Sequence, residues 1–210
     1  MENSLKNVRA DVENRFLDIN TMINILNCNN NAKVKEQVIL KSSLMIMLYN
    51  AVEGVFSNLL TEVFDRITEN NISIKQLPIS LKNIIYTYHI KRIDTNNIKY
   101  LEEFRDYTEF DICSISYLEL NKFLKLYSGN LDSQSIRDTS KKLSITLPDE
   151  MNEPYLLKVK DIRNKLAHGE IIFSNAAQDI TLPEMKKICC RVKNYIDKLL
   201  IEYENFLSRI

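Results

Sequence analysis

At 210 residues and 24.6 kDa, the chain has room for one large domain or two small ones. Its 28 Lys and Arg balance 28 Asp and Glu, so no overall basic field exists to grip nucleic acid non-specifically, and any such role needs a local site. Three glycines and four prolines are too few for an all-β sandwich or a glycine-rich nucleotide fold, both of which need tight turns. A mostly helical protein is what the composition leaves.

Cys28, Cys113, Cys189 and Cys190 are widely spaced and contain no C-x-x-C pair, a pattern of neither a zinc knuckle nor a disulfide scaffold. Adjacent Cys189 and Cys190 read as two thiols at the edge of a helical core. The first residues, Met-Glu-Asn-Ser-Leu-Lys, lack the apolar run of a signal peptide. The longest apolar block, Leu44 to Leu48, is far short of the roughly 20 residues of a membrane span. The expectation is a reduced, cytoplasmic protein without a membrane partner.

Apolar residues at Leu5, Val8, Val12, Phe16, Ile19, Ile23 and Leu26 recur in steps of three and four, which predicts a helix over about 3–27. The asparagine run 29–31 breaks it. A second helix over 34–68 buries Leu44, Leu48, Ala51, Val52, Val55, Phe56, Leu59, Val63 and Ile67, and Asn70-Asn71 ends it. From Ile72 to Ile115 the pattern weakens. Pro78 and Ser80 open a short helix through Tyr88, Ile98 to Tyr107 suggests another, and 106–113 reads as loop. This region is expected to be an insertion between bundle helices.

Ser116 with Glu119 has the spacing of a capping box for a helix over 117–127. Ser128-Gly129-Asn130 stops that helix, and a short one follows from Ser133 to Leu143. Asn152 with Pro154 signals the start of a helix over 153–168, with Gly169 as its C-terminal residue. Residues 170–180 read as loop with some extended structure at 171–173. Thr181 and Glu184 cap the last helix, 183–208, which buries Ile188, Val192, Tyr195, Ile196, Leu199, Leu200, Tyr203 and Phe206. Four long amphipathic helices cannot bury their stripes alone. The expected fold is one all-α domain over 1–210, an antiparallel bundle of four long helices with a short-helix insertion at 72–115.

Only His89 and His168 offer an imidazole for acid–base work. His89 sits among aromatics with no carboxylate nearby, which favours a structural role. His168 closes the run Asp161-Ile162-Arg163-Asn164-Lys165-Leu166-Ala167-His168-Gly169-Glu170, at a helix C-terminus where the macrodipole alone accounts for a cationic side chain. Leu156, Val159, Ile162 and Leu166 form the buried stripe, and Arg163 falls about 40° from Val159 at 100° per residue. An arginine on a core-facing flank must pair with a carboxylate, line a groove or meet another chain. Asn164 and His168 share a face. Arg163 and His168 are roughly 140° apart, so they converge on one ligand only if the helix end bends or a second copy faces the first.

The run Arg163-Asn164-Lys165-Leu166-Ala167-His168 resembles the R-x4-6-H signature of the HEPN superfamily, including the polar residue after the arginine. Leu44-Met45-Ile46-Met47-Leu48-Tyr49-Asn50-Ala51-Val52-Glu53-Gly54 is similar to the early helix of the MAE-like stand-alone HEPN proteins, with its Tyr-x-x-x-Glu-Gly pattern. Ser128-Gly129-Asn130-Leu131 before a short helix resembles the same subgroup.

The resemblance implies a metal-independent, cofactor-free endoribonuclease of a prokaryotic defence or toxin–antitoxin system, acting on RNA as a homodimer with both motif helices in one cleft. It implies His168 as general acid or base, Arg163 on the scissile phosphate, Asn164 orienting the histidine or the phosphate, and Glu53 pairing with Arg163. Lys160 and Lys165 make the motif helix basic and are candidate RNA contacts, although exposed lysines more often serve solvation. Such a nuclease implies an antitoxin or another regulatory protein. Two alternatives stand beside it. One is a catalytically silent HEPN module that binds RNA, a nucleotide or a partner protein; the other is a helical scaffold in which Arg163 and Asp161 form structural ion pairs and His168 is a cap. Activity that depends on an ionisation near neutrality and not on magnesium separates the first reading from both.

Overall fold

A computed structural model of the chain describes residues 5–28, 33–93, 99–102, 104–105 and 115–210. Eight α-helices are numbered here: α1 (Lys6–Cys28), α2 (Val34–Glu69), α3 (Ile79–Ile93), α4 (Tyr117–Phe123), α5 (Ser133–Lys142), α6 (Pro154–Ala167), α7 (Phe173–Ala176) and α8 (Leu182–Leu207). Single 3-10 turns at Ile74–Gln76 and Asp149–Met151 join them. No strand occurs among the described residues. The protein is all-α, as its composition implies.

Helix α2 is the axis of the fold and contacts α1, α4, α6, α7 and α8. All nine of its predicted core residues are buried. By length and composition α2 would suffice to cross a membrane, with a mean hydropathy of 1.4 in its most apolar window, which the short block at 44–48 does not convey. Here neighbouring helices cover its buried residues instead. Polar pairs fix the directions. Asp11 meets Asn58 while Arg15 meets the Asn50 carbonyl, so α1 and α2 run antiparallel. Arg9–Glu204 and Glu13–Lys193 set α8 antiparallel to α1, and Glu153–Arg191 with Lys158–Glu184 set α6 antiparallel to α8.

Several ends differ from expectation, each because a distant group competes for a local partner. Helix α4 stops at Phe123, where Leu124 turns extended; Lys142 of α5 and Thr139 take the Leu126 carbonyl. Ser116 makes no side-chain cap, and the Glu119 carboxylate accepts from the Tyr88 hydroxyl of α3 at 3.4 Å. Asn152 does not cap α6. It accepts from Ser133, and Glu153 takes the role by accepting from the Tyr155 amide. Extended backbone in 171–173 is seen at Ile172, at φ −92 and ψ 155; a single helical turn, α7, then starts at Phe173 and is fastened to α2 by the Ser42 hydroxyl on the Phe173 carbonyl at 2.7 Å. Asn71, at φ +49, reverses the chain after α2. The predicted features at 29–31, at 106–113 and at Cys113, and parts of the 98–107 helix, lie outside the described residues. Helix α3 packs on α4 and α5.

His89 is 2% exposed and lies in α3 against Tyr88 and Phe104, with ring centroids 5.1 and 5.9 Å away. Burial, with help from the nearby Arg92 charge, pushes its imidazole down from 6.5 to about 4. The unfolded chain therefore takes up a proton at this site as pH falls through about 6.5, while the folded chain resists until about 4. Stability is present above that window and is lost across it. Replacing His89 by Leu should make the loss of unfolding free energy between about pH 7 and about pH 4.5 smaller by about 2 kcal/mol, read from urea titrations at the two pH values.

Candidate active site

Two residues four apart on α2, Tyr49 and Glu53, present one face toward α6. Arg163 of α6 reaches down onto it. Its guanidinium carbon lies 4.2 Å above the centre of the Tyr49 ring, and its Nη2 stands 3.7 Å from Glu53 Oε2. Nη1 donates to Asn164 Oδ1 at 2.9 Å. The side chain of Arg163 is still 27% exposed, so it is held on the inner side and open on the outer one. Burial pushes the Glu53 carboxyl above its usual range, and the Arg163 charge works against that shift.

Beneath the ring, the Tyr49 hydroxyl donates to the Gly129 carbonyl and accepts from the Leu131 amide at 3.2 Å. Gly129 sits at φ +79, a conformation glycine adopts without strain. The same loop ends at Asp132, whose side chain accepts from the Ser135 amide at 2.8 Å and caps α5. Its second oxygen receives Lys160 Nζ of α6 at 2.6 Å. Burial pushes the Asp132 carboxyl up, but the bonds from Lys160 and Ser135 outweigh it and hold the group below its usual range.

His168 is the C-terminal cap of α6. Its amide donates to the Asn164 carbonyl at 2.9 Å, and its side chain is exposed. Gly169 follows at φ +71 and ends the helix, as its position predicts. No hydrogen bond or ion pair among the described residues links His168 to Arg163. Ile162 and Leu166, assigned to the buried stripe, are only half-buried, and Ile172 and Phe173 just beyond are exposed at 63% and 43%. The apolar stripe of α6 thus runs out of the core as it approaches His168.

The structure gathers Arg163, Asn164 and Glu53 and leaves His168 apart. Asn164 turns to Arg163 rather than to the histidine. Of the two candidate RNA contacts, Lys165 is exposed, and the Lys160 ammonium is engaged by Asp132. Lys158, Arg191 and Lys193 are likewise occupied by Glu184, Glu153 and the pair Glu13 and Asp197. Tyr49 and Asp132 carry geometric roles that spacing alone does not assign; the i, i+4 relation of Tyr49 to Glu53 is the one local signal. Among the described residues, no group of three or more His, Cys, Asp or Glu side chains is placed to hold a metal ion. Clefts of about 320 and 390 Å³ open along α8, one lined by Glu153, Arg191 and Tyr195 and the other by Phe16, Leu17 and Cys189, away from the motif.

An all-α bundle whose last but one long helix ends in R-x4-H, with a tyrosine and a glutamate of a central helix beneath the arginine, has the form of a HEPN domain. The chain matches the family described as MAE_28990-like HEPN over residues 4–209, and it belongs to that family. HEPN domains are generally ribonuclease-like. No curated protein and no solved structure matches the chain.

The Lys160–Asp132 bridge joins α6 to the cap of α5, and both side chains are under one-fifth exposed. Lys160→Met should lower stability by about 1–3 kcal/mol, because a buried-edge carboxylate loses its charged donor. Thermal unfolding near neutral pH checks this. An unchanged melting temperature would instead return Lys160 to the role of a free surface cation.

Proposed function

We propose that this protein is a metal-independent endoribonuclease whose active site is completed by a second copy of the chain. One observation carries the reading: Arg163 is held from below by Tyr49, Glu53 and Asn164 while its outer edge stays open. A guanidinium so prepared suits a phosphodiester, since its planar fork matches two phosphate oxygens and its charge offsets what develops in the transition state. In RNA the 2′-hydroxyl is an internal nucleophile. Its oxygen bonds to phosphorus as the bond to the 5′-oxygen breaks; a base takes the 2′ proton and an acid supplies one to the leaving oxygen. His168 serves as that base or acid. The products carry 2′,3′-cyclic phosphate and 5′-hydroxyl ends.

The half-buried Ile162 and Leu166 and the exposed Ile172 and Phe173 support the homodimer, because an apolar stripe that leaves the core beside the motif favours a partner surface. Facing copies offset the 140° between Arg163 and His168 by letting the two come from different protomers. A role in prokaryotic defence or as a toxin, a cytoplasmic location, and control by an antitoxin or another regulatory protein belong to the same proposal. They rest on the usual setting of stand-alone HEPN proteins. The second reading, a silent module that binds RNA, a nucleotide or a partner protein, is favoured by the absence of any direct bond between Arg163 and His168 among the described residues.

Wild type should cleave total cellular RNA in EDTA and leave cyclic-phosphate ends, while Arg163→Ala and His168→Ala, confirmed folded by circular dichroism, lose at least about a hundredfold in rate. Equal cleavage by all three would assign the activity to another site or a contaminant. No cleavage by any would favour the silent module. Phe173→Asp should shift the protein from dimer to monomer in analytical ultracentrifugation and reduce cleavage with it. A wild type that sediments as a monomer at micromolar concentration would count against a shared cleft.

A further inference from the structure

Three groups touch the Arg163 guanidinium, and they differ in what they can fix. Asn164 is the next residue on the same helix, so its bond at 2.9 Å travels with α6 and sets nothing relative to the rest of the bundle. Glu53 is on a different helix, but at 3.7 Å it contributes charge without the direction of a hydrogen bond. Tyr49 alone offers a rigid plane. Its ring is 1% exposed, and its hydroxyl is engaged on both sides by backbone groups of the 129–131 loop. A phenylalanine would fill the same space but leave the Leu131 amide and the Gly129 carbonyl without that partner.

We propose that Tyr49 is the positioning residue of this site: its ring sets the height and direction of the Arg163 guanidinium, and its hydroxyl locks the ring to the 129–131 loop. The stack is a cation–π contact, which Arg makes with a flat face and which a lysine ammonium at 163 cannot reproduce. Because the same loop ends at Asp132, which holds Lys160 one turn before Arg163, α6 is tied to α2 through two routes that meet in the four residues 129–132. The inference deepens the ribonuclease reading and rests on it for the role of Arg163. The contact itself is measurable without cleavage.

Two readouts separate the two. In NMR spectra of the whole protein, the side-chain protons of Arg163, assigned by comparison with Arg163→Lys, should be shifted upfield by the ring current of Tyr49. The shift should persist in Tyr49→Phe and vanish in Tyr49→Leu. In RNA cleavage assays, Tyr49→Phe, which keeps the ring and loses the hydroxyl that locks it, should lose about threefold in kcat, whereas Tyr49→Leu should lose about tenfold. In an Arg163→Lys background the same Leu change should cost less. An unshifted Arg163 signal in wild type, a shift that survives Tyr49→Leu, or an equal kinetic loss in both backgrounds overturns the inference. If wild type cleaves nothing but Arg163 is shifted as described, the positioning stands and the ribonuclease reading fails. Should Tyr49→Leu not fold, the wild-type and Tyr49→Phe spectra still decide.

Discussion

The burial of α2 governs the rest of the molecule. Its 36 residues are apolar on more than one side, so no single neighbour can cover them, and α1, α4, α6, α7 and α8 each take a share. Aromatic contacts extend this from the middle of the helix: Phe56 meets Tyr127 and Tyr203, and Phe64 stacks on Tyr117. A polar side chain on the covered part of such a helix sits where a charge is costly unless it is answered. Glu53 is answered by Arg163, Ser42 by the Phe173 carbonyl, and Lys41 by the Ile180 carbonyl. Each answer fastens one further piece of chain. The candidate site is one of these fastenings, with the difference that its arginine keeps an open edge.

Much of the bundle is legible in the sequence because helix periodicity is a local property. The stripes of α1, α2 and α8 need only their own residues to be read, and every predicted core position of α2 and α8 is buried. Gly169 could be assigned for a similar reason, since it is a chain end with one conformational requirement. The failures share a cause. Glu153 caps α6 in place of Asn152 because Ser133, 19 residues back, occupies the asparagine. Lys160 reads as a free cation because Asp132 lies 28 residues away in sequence. Neither partner can be found from spacing.

The site was legible in the same uneven way. The Arg163–Glu53 pair follows from an arginine on a core-facing flank and a carboxylate in an apolar helix, two local anomalies that resolve each other. The ring beneath the guanidinium does not follow, since a buried tyrosine at core spacing reads as packing until the loop at 129–131 is seen to hold its hydroxyl. The half-burial of Ile162 and Leu166 also escapes periodicity. A stripe marks which face is apolar, and not how far along the helix the core extends.

The pairing of so many cations has a consequence for how this surface meets a polyanion. Lys158, Lys160, Arg191 and Lys193 are each paired with a carboxylate of the same chain, so few of them are available to neutralise phosphates and displace the cations condensed on a polyanion. A phosphate-bearing chain binding near α6 therefore releases few counterions, and its affinity falls only shallowly with added salt. Discrimination among ligands then rests on shape and on the few groups that remain uncommitted, rather than on the overall attraction of a basic surface for a charged backbone.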